Sequence, residues 1–287
     1  MQKSFATPIQ RKFDFQSLPD RCEIILGDAL TVLKEYPKDT FRCCITSPPY
    51  WGLRDYGTPN QVGAESELRD YIEKLRKIFS EVRRVLTADG TFWLNIGDSY
   101  TSGNRGWRAI DKKNPAREMN YRPPTPEGLK PKDLIGVPWR LAFALQEDGW
   151  YLRSDIIWYK PNCQPESVKD RPTRSHEYFF MFSKSEKYFY DYEAAKEPSN
   201  SNGKLRNRRS VWSINTEAFP GAHFATFPPA LIEPVIKTSS QKGDSVLDPF
   251  FGSGTVGQVC LNLERKFTGI ELNEEYVSLA RKRLGLE

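Results

Sequence analysis

Short runs of apolar and β-branched residues alternate along this chain with longer stretches whose apolar positions recur every three or four residues. Read by period, the short runs predict strands at Cys22–Leu26, Phe41–Thr46, Thr91–Ile96, Tyr151–Trp158, Glu177–Phe182, Ser245–Leu247 and Lys266–Ile270. The longer stretches predict helices at Ala29–Glu35, Ser66–Leu86, Lys132–Glu147, Pro229–Thr238, Thr255–Leu263 and Asn273–Leu284. In the longest of these, Leu68, Ile72, Leu75, Phe79, Val82 and Leu86 share one helical face, and Gly90 closes the element. Such alternation predicts an α/β chain with a twisted, mostly parallel sheet and helices on both faces. We read residues 1–287 as a single domain, long enough to bury roughly three quarters of its unfolded-chain surface.

Charge changes this picture only through its distribution. The chain carries 42 Lys and Arg against 37 Asp and Glu, a net of +5. The excess is concentrated in two segments without hydrophobic periodicity, residues 101–132 and 197–212, and the remainder is net acidic. These read as basic insertions, with Arg105, Arg108, Lys112, Lys113, Arg206, Arg208 and Arg209 as candidate contacts to a polyanion such as DNA. A lone basic loop is more often a solvated surface, and the interleaved Trp107, Tyr121 and Trp212 narrow that difference. No run of 18 apolar residues suggests a membrane span, and the first residues lack the apolar stretch of a signal peptide. Five cysteines without framework spacing fit reduced thiols, hence a cytoplasmic protein. Two histidines, His176 and His223, lie in separate segments without metal-ligand spacing, so no metal is expected.

Two stretches carry candidate chemistry. Ser245-Val246-Leu247 leads through Asp248-Pro249-Phe250-Phe251 into Gly252-Ser253-Gly254-Thr255-Val256-Gly257, a glycine-rich turn between a strand and a helix. Glycines allow close backbone approach to a ligand, and Glu271 at the end of the next strand can accept hydrogen bonds from ribose hydroxyls. A nucleoside cofactor is implied. Only 30 residues follow Gly257, too few to complete a dinucleotide fold, and Asp248 suits an ammonium better than a pyrophosphate. S-adenosylmethionine fits these features best.

The second stretch is Ser47-Pro48-Pro49-Tyr50, which leaves the C-terminal end of the second predicted strand, the edge where α/β sheets place ligands. Two prolines fix φ and remove two N–H donors, so the loop offers a hydroxyl, free carbonyls and an aromatic face on a stiff frame. Ser47 Oγ and the Pro48 carbonyl can accept the two N–H bonds of an exocyclic amine, while Tyr50 stacks on its ring. Taken alone, a proline turn closing a strand is the plainer reading; paired with the glycine turn it is not.

This tetrapeptide, followed far downstream by Asp248-Pro249-Phe250-Phe251-Gly252-Ser253-Gly254-Thr255, resembles the β class of prokaryotic amino-methylating DNA methyltransferases. In that class the catalytic motif precedes the cofactor motif. The resemblance implies a Rossmann-like S-adenosylmethionine-dependent methyltransferase fold with circularly permuted motif order. It implies Ser47, Pro48, Pro49 and Tyr50 as catalytic residues. Asp28, in Leu26-Gly27-Asp28-Ala29, resembles the acid that holds the cofactor adenine, and the segment around Phe224 resembles the cover over the methionine end. Asp248, Pro249, Phe250, Gly252, Ser253, Gly254, Thr255 and Glu271 complete the implied cofactor site. Ile157-Trp158-Tyr159-Lys160-Pro161-Asn162, Pro165-Glu166-Ser167, Arg171-Pro172-Thr173 and His176-Glu177-Tyr178 resemble the family's base-pocket region.

The resemblance further implies double-stranded DNA as substrate, with the target base flipped out of the helix. SPPY is more typical of enzymes acting on N4 of cytosine, DPPY of those acting on N6 of adenine. A cognate restriction endonuclease at the same site and a monomeric or homodimeric state are compatible with it. Methylation at cytosine carbon-5 is disfavoured, since Cys163 lacks the preceding proline and Cys43 and Cys44 fall within a predicted strand. The rival from another class is a nucleic-acid-binding protein that retains the fold without activity; the intact tetrapeptide and turn glycines oppose it.

Overall fold

The strands form because β-branched and aromatic residues cluster in short runs, and the helices because apolar residues return at the helical period. The computed structural model describes residues 22–102, 122–199, 203–217 and 227–286. The first half comprises β1 (Glu23–Leu26), α1 (Ala29–Glu35), β2 (Phe41–Thr46), α2 (Leu68–Val85), β3 (Leu86–Ile96) and α3 (Val137–Glu147). Then come β4 (Tyr151–Tyr159), β5 (His176–Ser183) and three short strands, β6 (Glu197–Pro198), β7 (Leu205–Arg206) and β8 (Val211–Ser213). The C-terminal part holds α4 (Pro229–Ser239), β9 (Ser245–Asp248), α5 (Thr255–Asn262), β10 (Lys266–Glu271) and α6 (Glu274–Leu284).

Eight strands make one sheet in the order β1-β10-β9-β2-β3-β5-β4-β8. Every neighbouring pair is parallel except those made by β5, which runs against both β3 and β4. The mixed, mostly parallel sheet was thus legible in advance. The last two long strands of the chain sit between β1 and β2, so the glycine turn after β9 and the proline loop after β2 leave adjacent strands at the same edge.

Two apolar layers cover the sheet. On one face α1, α2 and α3 bury Leu33, Tyr71, Leu75, Phe79, Val82 and Leu141 against Phe92, Phe180 and Phe182. On the other, α4, α5 and α6 bury Leu231, Val235, Val256 and Ala280 against Cys43, Ile45, Trp93 and Val246. Cys43, Cys44 and Cys260 are fully buried, and burial raises all three thiol pKa values, so they behave as small hydrophobes.

Two boundaries differ from the sequence expectation by more than two residues. Helix α3 starts at Val137, not Lys132, because Lys132 adopts a left-handed φ of 74° and Gly136 one of 78°. The amides of Gly136 and Val137 are capped by the carboxylate of Asp98, a residue 38 and 39 positions away, at 3.0 Å. A cap from so far along the chain leaves no local signal. Strand β3 begins at Leu86 rather than Thr91, because the register shifts between Phe41 and Cys43 and the residues before Thr91 bulge out of the ladder. None of the described helices is long and apolar enough to cross a membrane.

Candidate active site

The loop after β2 is held by its surroundings rather than by itself. Tyr71 of α2 donates to the Pro49 carbonyl at 2.9 Å, Trp51 Nε1 donates to the Glu65 carbonyl at 2.9 Å, and Gly52 N donates to Gly63 O at 2.9 Å. The Pro49 carbonyl is therefore occupied. Ser47, Pro48, Pro49 and Tyr50 all line one cavity of about 760 Å³ along the C-terminal edge of the sheet. That size falls within the roughly 300–1,000 Å³ of small-molecule and cofactor sites.

Tyr50 is fixed by a polar cluster that spans three strands. Its hydroxyl donates to Glu177 Oε2 at 2.8 Å, and Asn95 Nδ2 donates to the same oxygen at 3.1 Å and to the Tyr178 carbonyl at 3.1 Å. Lys160 pairs with the other Glu177 oxygen and lies 4.1 Å from the Trp158 ring centroid. Burial, and then the Glu177 charge, push the Tyr50 phenol well above its usual pKa, so it remains a donor. Its ring rests on Gly97, where an added Cβ would come within 2.7 Å of Tyr50 Cε2. The ring position thus depends on a residue with no side chain.

Across the cavity, Phe251 packs parallel to Phe267 at 5.3 Å, and Gly252 and Gly254 take left-handed φ values of 53° and 84°. Those angles explain both glycines in the turn. Gly252 N donates to Glu271 Oε2 at 2.8 Å and Asn273 N donates to Oε1 at 2.9 Å, so the carboxylate is oriented in advance. Burial raises the Glu271 pKa. Asp28 caps α1 through Thr31 N at 2.9 Å and lines the same cavity.

The cavity gathers Asp28, Pro249, Phe250, Gly252, Ser253, Thr255 and Glu271, seven of the candidate cofactor residues. Asp248 and Gly254 are not on its wall. Asp248 is 2% exposed and accepts from Thr46 Oγ1 at 2.6 Å and Phe250 N at 3.1 Å. It joins the end of β2 to the start of the glycine turn, and burial raises its pKa to about 7. Phe224 and His223 lie outside the described residues, as do Arg105, Arg108, Lys112 and Lys113.

The described ends of the first basic segment meet, with Thr101 N donating to Asp133 O at 3.0 Å and Ile135 N to Ser99 O at 2.9 Å. The segment therefore departs from and returns to the residues just after Asp98, on the cavity wall. In the second segment Arg206 pairs with Glu197 at 3.0 Å, Arg208 stacks 4.5 Å from the Trp212 ring, and Arg209 is exposed. Glu166 forms an ion pair with Arg171 at 2.6 Å and Asp170 one with Lys132 at 2.7 Å, as structural loop residues do.

Sequence reasoning missed Asn95, Gly97 and Asp98, all on the cavity wall. The available signal was an Asn near the end of the apolar strand β3 and a Gly-Asp pair directly after it. It also missed Tyr56, Asn273 and Tyr276, which line the Glu271 end.

The model of the N6/N4 DNA methylases matches residues 41–282, which include the proline loop, the glycine turn and the cavity wall apart from Gly27, Asp28 and Ala29. The Type II methyltransferase M.XycI of Xanthomonas campestris pv. cyanopsidis is 68% identical over 90% of this chain and 86% of its own length. M.SmaI of Serratia marcescens, also a Type II methyltransferase, is 63% identical over 92% and 90%. Among solved structures, the cytosine-N4-specific PvuII DNA methyltransferase superposes with a TM-score of 0.69 at 22% identity, covering 92% of this chain and 86% of that one. A putative DNA modification methylase of Thermus thermophilus in complex with S-adenosyl-L-methionine gives 0.63 at 24%, covering 92% and 95%. On its own sequence, and with a fold shared by those structures, the chain belongs to the N6/N4 family of DNA methylases.

Proposed function

We propose that this protein methylates DNA at a specific site, transferring the methyl group of S-adenosylmethionine to N4 of an extruded cytosine. One observation carries the reading: a proline-stiffened hydroxyl loop and a glycine turn leave adjacent strands and face each other across a single cavity. The choice of cytosine rests on Ser47 in the tetrapeptide. Relatives named as Type II methyltransferases support a role within a restriction–modification pair, with an endonuclease reading the same DNA site.

The residues present fit the cofactor. Glu271 has both oxygens oriented by backbone amides and retains lone pairs for two ribose hydroxyls. Asp28, Pro249 and Phe250 line the cavity, where Asp28 would accept from an adenine amine and the other two would supply an apolar wall. Asp248, buried beneath the turn and off the cavity wall, would act on the ammonium through the turn it holds rather than by contact. The bound cofactor supplies an electrophilic methyl group on a sulfonium, open to in-line displacement by an amine.

The chain's own contribution is positioning and polarity. A base inside the duplex is out of reach, so it is flipped into the cavity, and unstacking costs a few kcal/mol that phosphate contacts and stacking on Tyr50 offset. Ser47 Oγ and the Pro48 carbonyl accept the amine hydrogens and favour a localised nitrogen lone pair. Glu177 and Gly97 hold the Tyr50 ring in the plane that the base requires. Rate enhancement of this kind comes from orientation and fixed dipoles, without a covalent enzyme intermediate.

The test is methylation of plasmid DNA in a methylation-free host, read by nucleoside mass spectrometry. N4-methylcytosine is expected. N6-methyladenine would move the target base, and no methylated base from a protein that still binds S-adenosylmethionine would end the proposal.

A further inference from the structure

Arg174, on the cavity wall two residues before β5, has donors without acceptors among the described residues, and its side chain is only 16% exposed. Its Nε and Nη1 are buried without a hydrogen-bond partner among the described residues. Its Nη2 lies 3.9 Å from Asp98 Oδ2, beyond hydrogen-bond length, and Asp98 already accepts from the amides of Ser99, Gly136 and Val137. The neighbouring cation, Lys160, is by contrast paired with Glu177. An arginine cannot release its charge, and buried N–H groups without acceptors are costly. Nε and Nη1 are closed off inside the protein, so Nη2, whose contact to Asp98 is too long for a hydrogen bond, is the donor left for a molecule bound in the cavity.

The topology identifies which part of that molecule. Because β5 is antiparallel, it starts at the edge where β2, β3 and β4 end. Along that edge the wall runs from Glu271 and Gly252 through Ser47 to Gly97 and Asp98, then to Arg174 and His176. The amine sits at Ser47, so Arg174 faces the portion of the base remote from the cofactor. Gly97 carries the Tyr50 ring and Asp98 faces Arg174, which puts the guanidinium beside the stacking platform. The adjacent Asp98 balances much of the Arg174 charge, so a neutral acceptor suits it better than a phosphate. DNA phosphates, moreover, remain at the rim of a flipping pocket rather than within it.

We propose that Arg174 donates a hydrogen bond to the ring carbonyl of the extruded base and thereby selects cytosine over adenine, whose ring has no carbonyl. This rests on the cytosine reading above. A site built to hydrogen-bond a substrate group discriminates strongly against an analogue without it.

The experiment compares single-turnover methylation of two duplexes carrying the site mapped from the plasmid. One has cytosine at the target; the other has a 2-aminopyridine C-nucleoside, which keeps the amine and ring nitrogen but lacks the carbonyl. Arg174→Met is expected to slow the cytosine duplex by about 10- to 100-fold with unchanged S-adenosylmethionine affinity by calorimetry. On the analogue, wild type and variant should be equally slow. An equal loss on both duplexes would overturn the proposal. So would a loss that disappears when methylphosphonate neutralises a flanking phosphate, since that places the contact on the backbone. If Arg174→Met fails to bind cofactor, Arg174→Lys takes its place in the same comparison, with the same expected pattern at smaller amplitude. N6-methyladenine from the wild type would remove the cytosine reading and this proposal together, whereas N4-methylcytosine with additive losses removes this proposal alone.

Discussion

At the scale of single residues, Ser47 and Asp248 separate the chemistry from its support. Ser47 lines the cavity and its Oγ has only a long, 3.5 Å contact to the Tyr50 hydroxyl, so it is available to an amine. Ser47→Ala is expected to slow methyl transfer by roughly a hundredfold, with cofactor affinity by calorimetry at the wild-type value; full turnover would remove Ser47 from the mechanism. Asp248 carries a stability signature instead. Burial raises its pKa from 3.8 to about 7, so between those values the folded protein holds a proton that the unfolded chain has released. Its contribution to stability therefore falls as pH rises through that window. Asp248→Asn keeps an acceptor for Thr46 and Phe250 and removes the titration. Urea midpoints at pH 5 and pH 8 should show the variant gaining on wild type at the higher pH, by roughly 1–3 kcal/mol. A difference that does not change with pH would contradict the burial argument.

At the scale of elements, the turn into α5 shows packing overruling propensity. Gly257 lies in the first turn of a helix, where alanine ordinarily gains up to about 1 kcal/mol. Here an added Cβ would come within 2.7 Å of Phe251 Cζ and 3.0 Å of both Phe267 Cζ and Leu284 Cδ1. Phe251 is stacked on Phe267 and has no room to withdraw. Overpacking of this kind costs about 1–3 kcal/mol, so Gly257→Ala should lower the thermal midpoint. A variant as stable as wild type would mean that the Phe251 ring can shift. The element periods themselves were legible, and most strand and helix limits fall within two residues of expectation. The exceptions have non-local causes: Asp98 caps α3 from the loop after β3, and the β3 bulge answers a register set by β2. No window of neighbouring residues contains either fact.

For the whole molecule, the charge asymmetry read from composition acquires a location. The described ends of the basic segment, at Thr101 and Asp133, meet beside the cavity wall, while Arg209 is exposed just before the edge strand β8. Arg206 and Arg208 are engaged within the protein, by Glu197 and by Trp212. If Arg209 neutralises one phosphate, Arg209→Ala should reduce the slope of log affinity against log salt by about one, equally for all DNA sequences. An unchanged slope would take Arg209 out of the interface.

The sequence by itself determined the layer architecture, the two loops proposed to carry chemistry and the kind of cofactor they suit, because period, proline and glycine act through the local backbone. The cofactor candidates that prove to line the cavity were named from one short turn and its following strand, with Asp28 added by resemblance. Only the tertiary structure decided that Asp248 lies beneath the site rather than on its wall, that Glu177 and Gly97 govern Tyr50, and that Arg174 has donors without acceptors among the described residues. Each of these depends on which strands become neighbours. The insertion of β9 and β10 between β1 and β2, and the reversal of β5, bring together residues far apart along the chain, such as Glu23 and Thr268, separated by 245 positions.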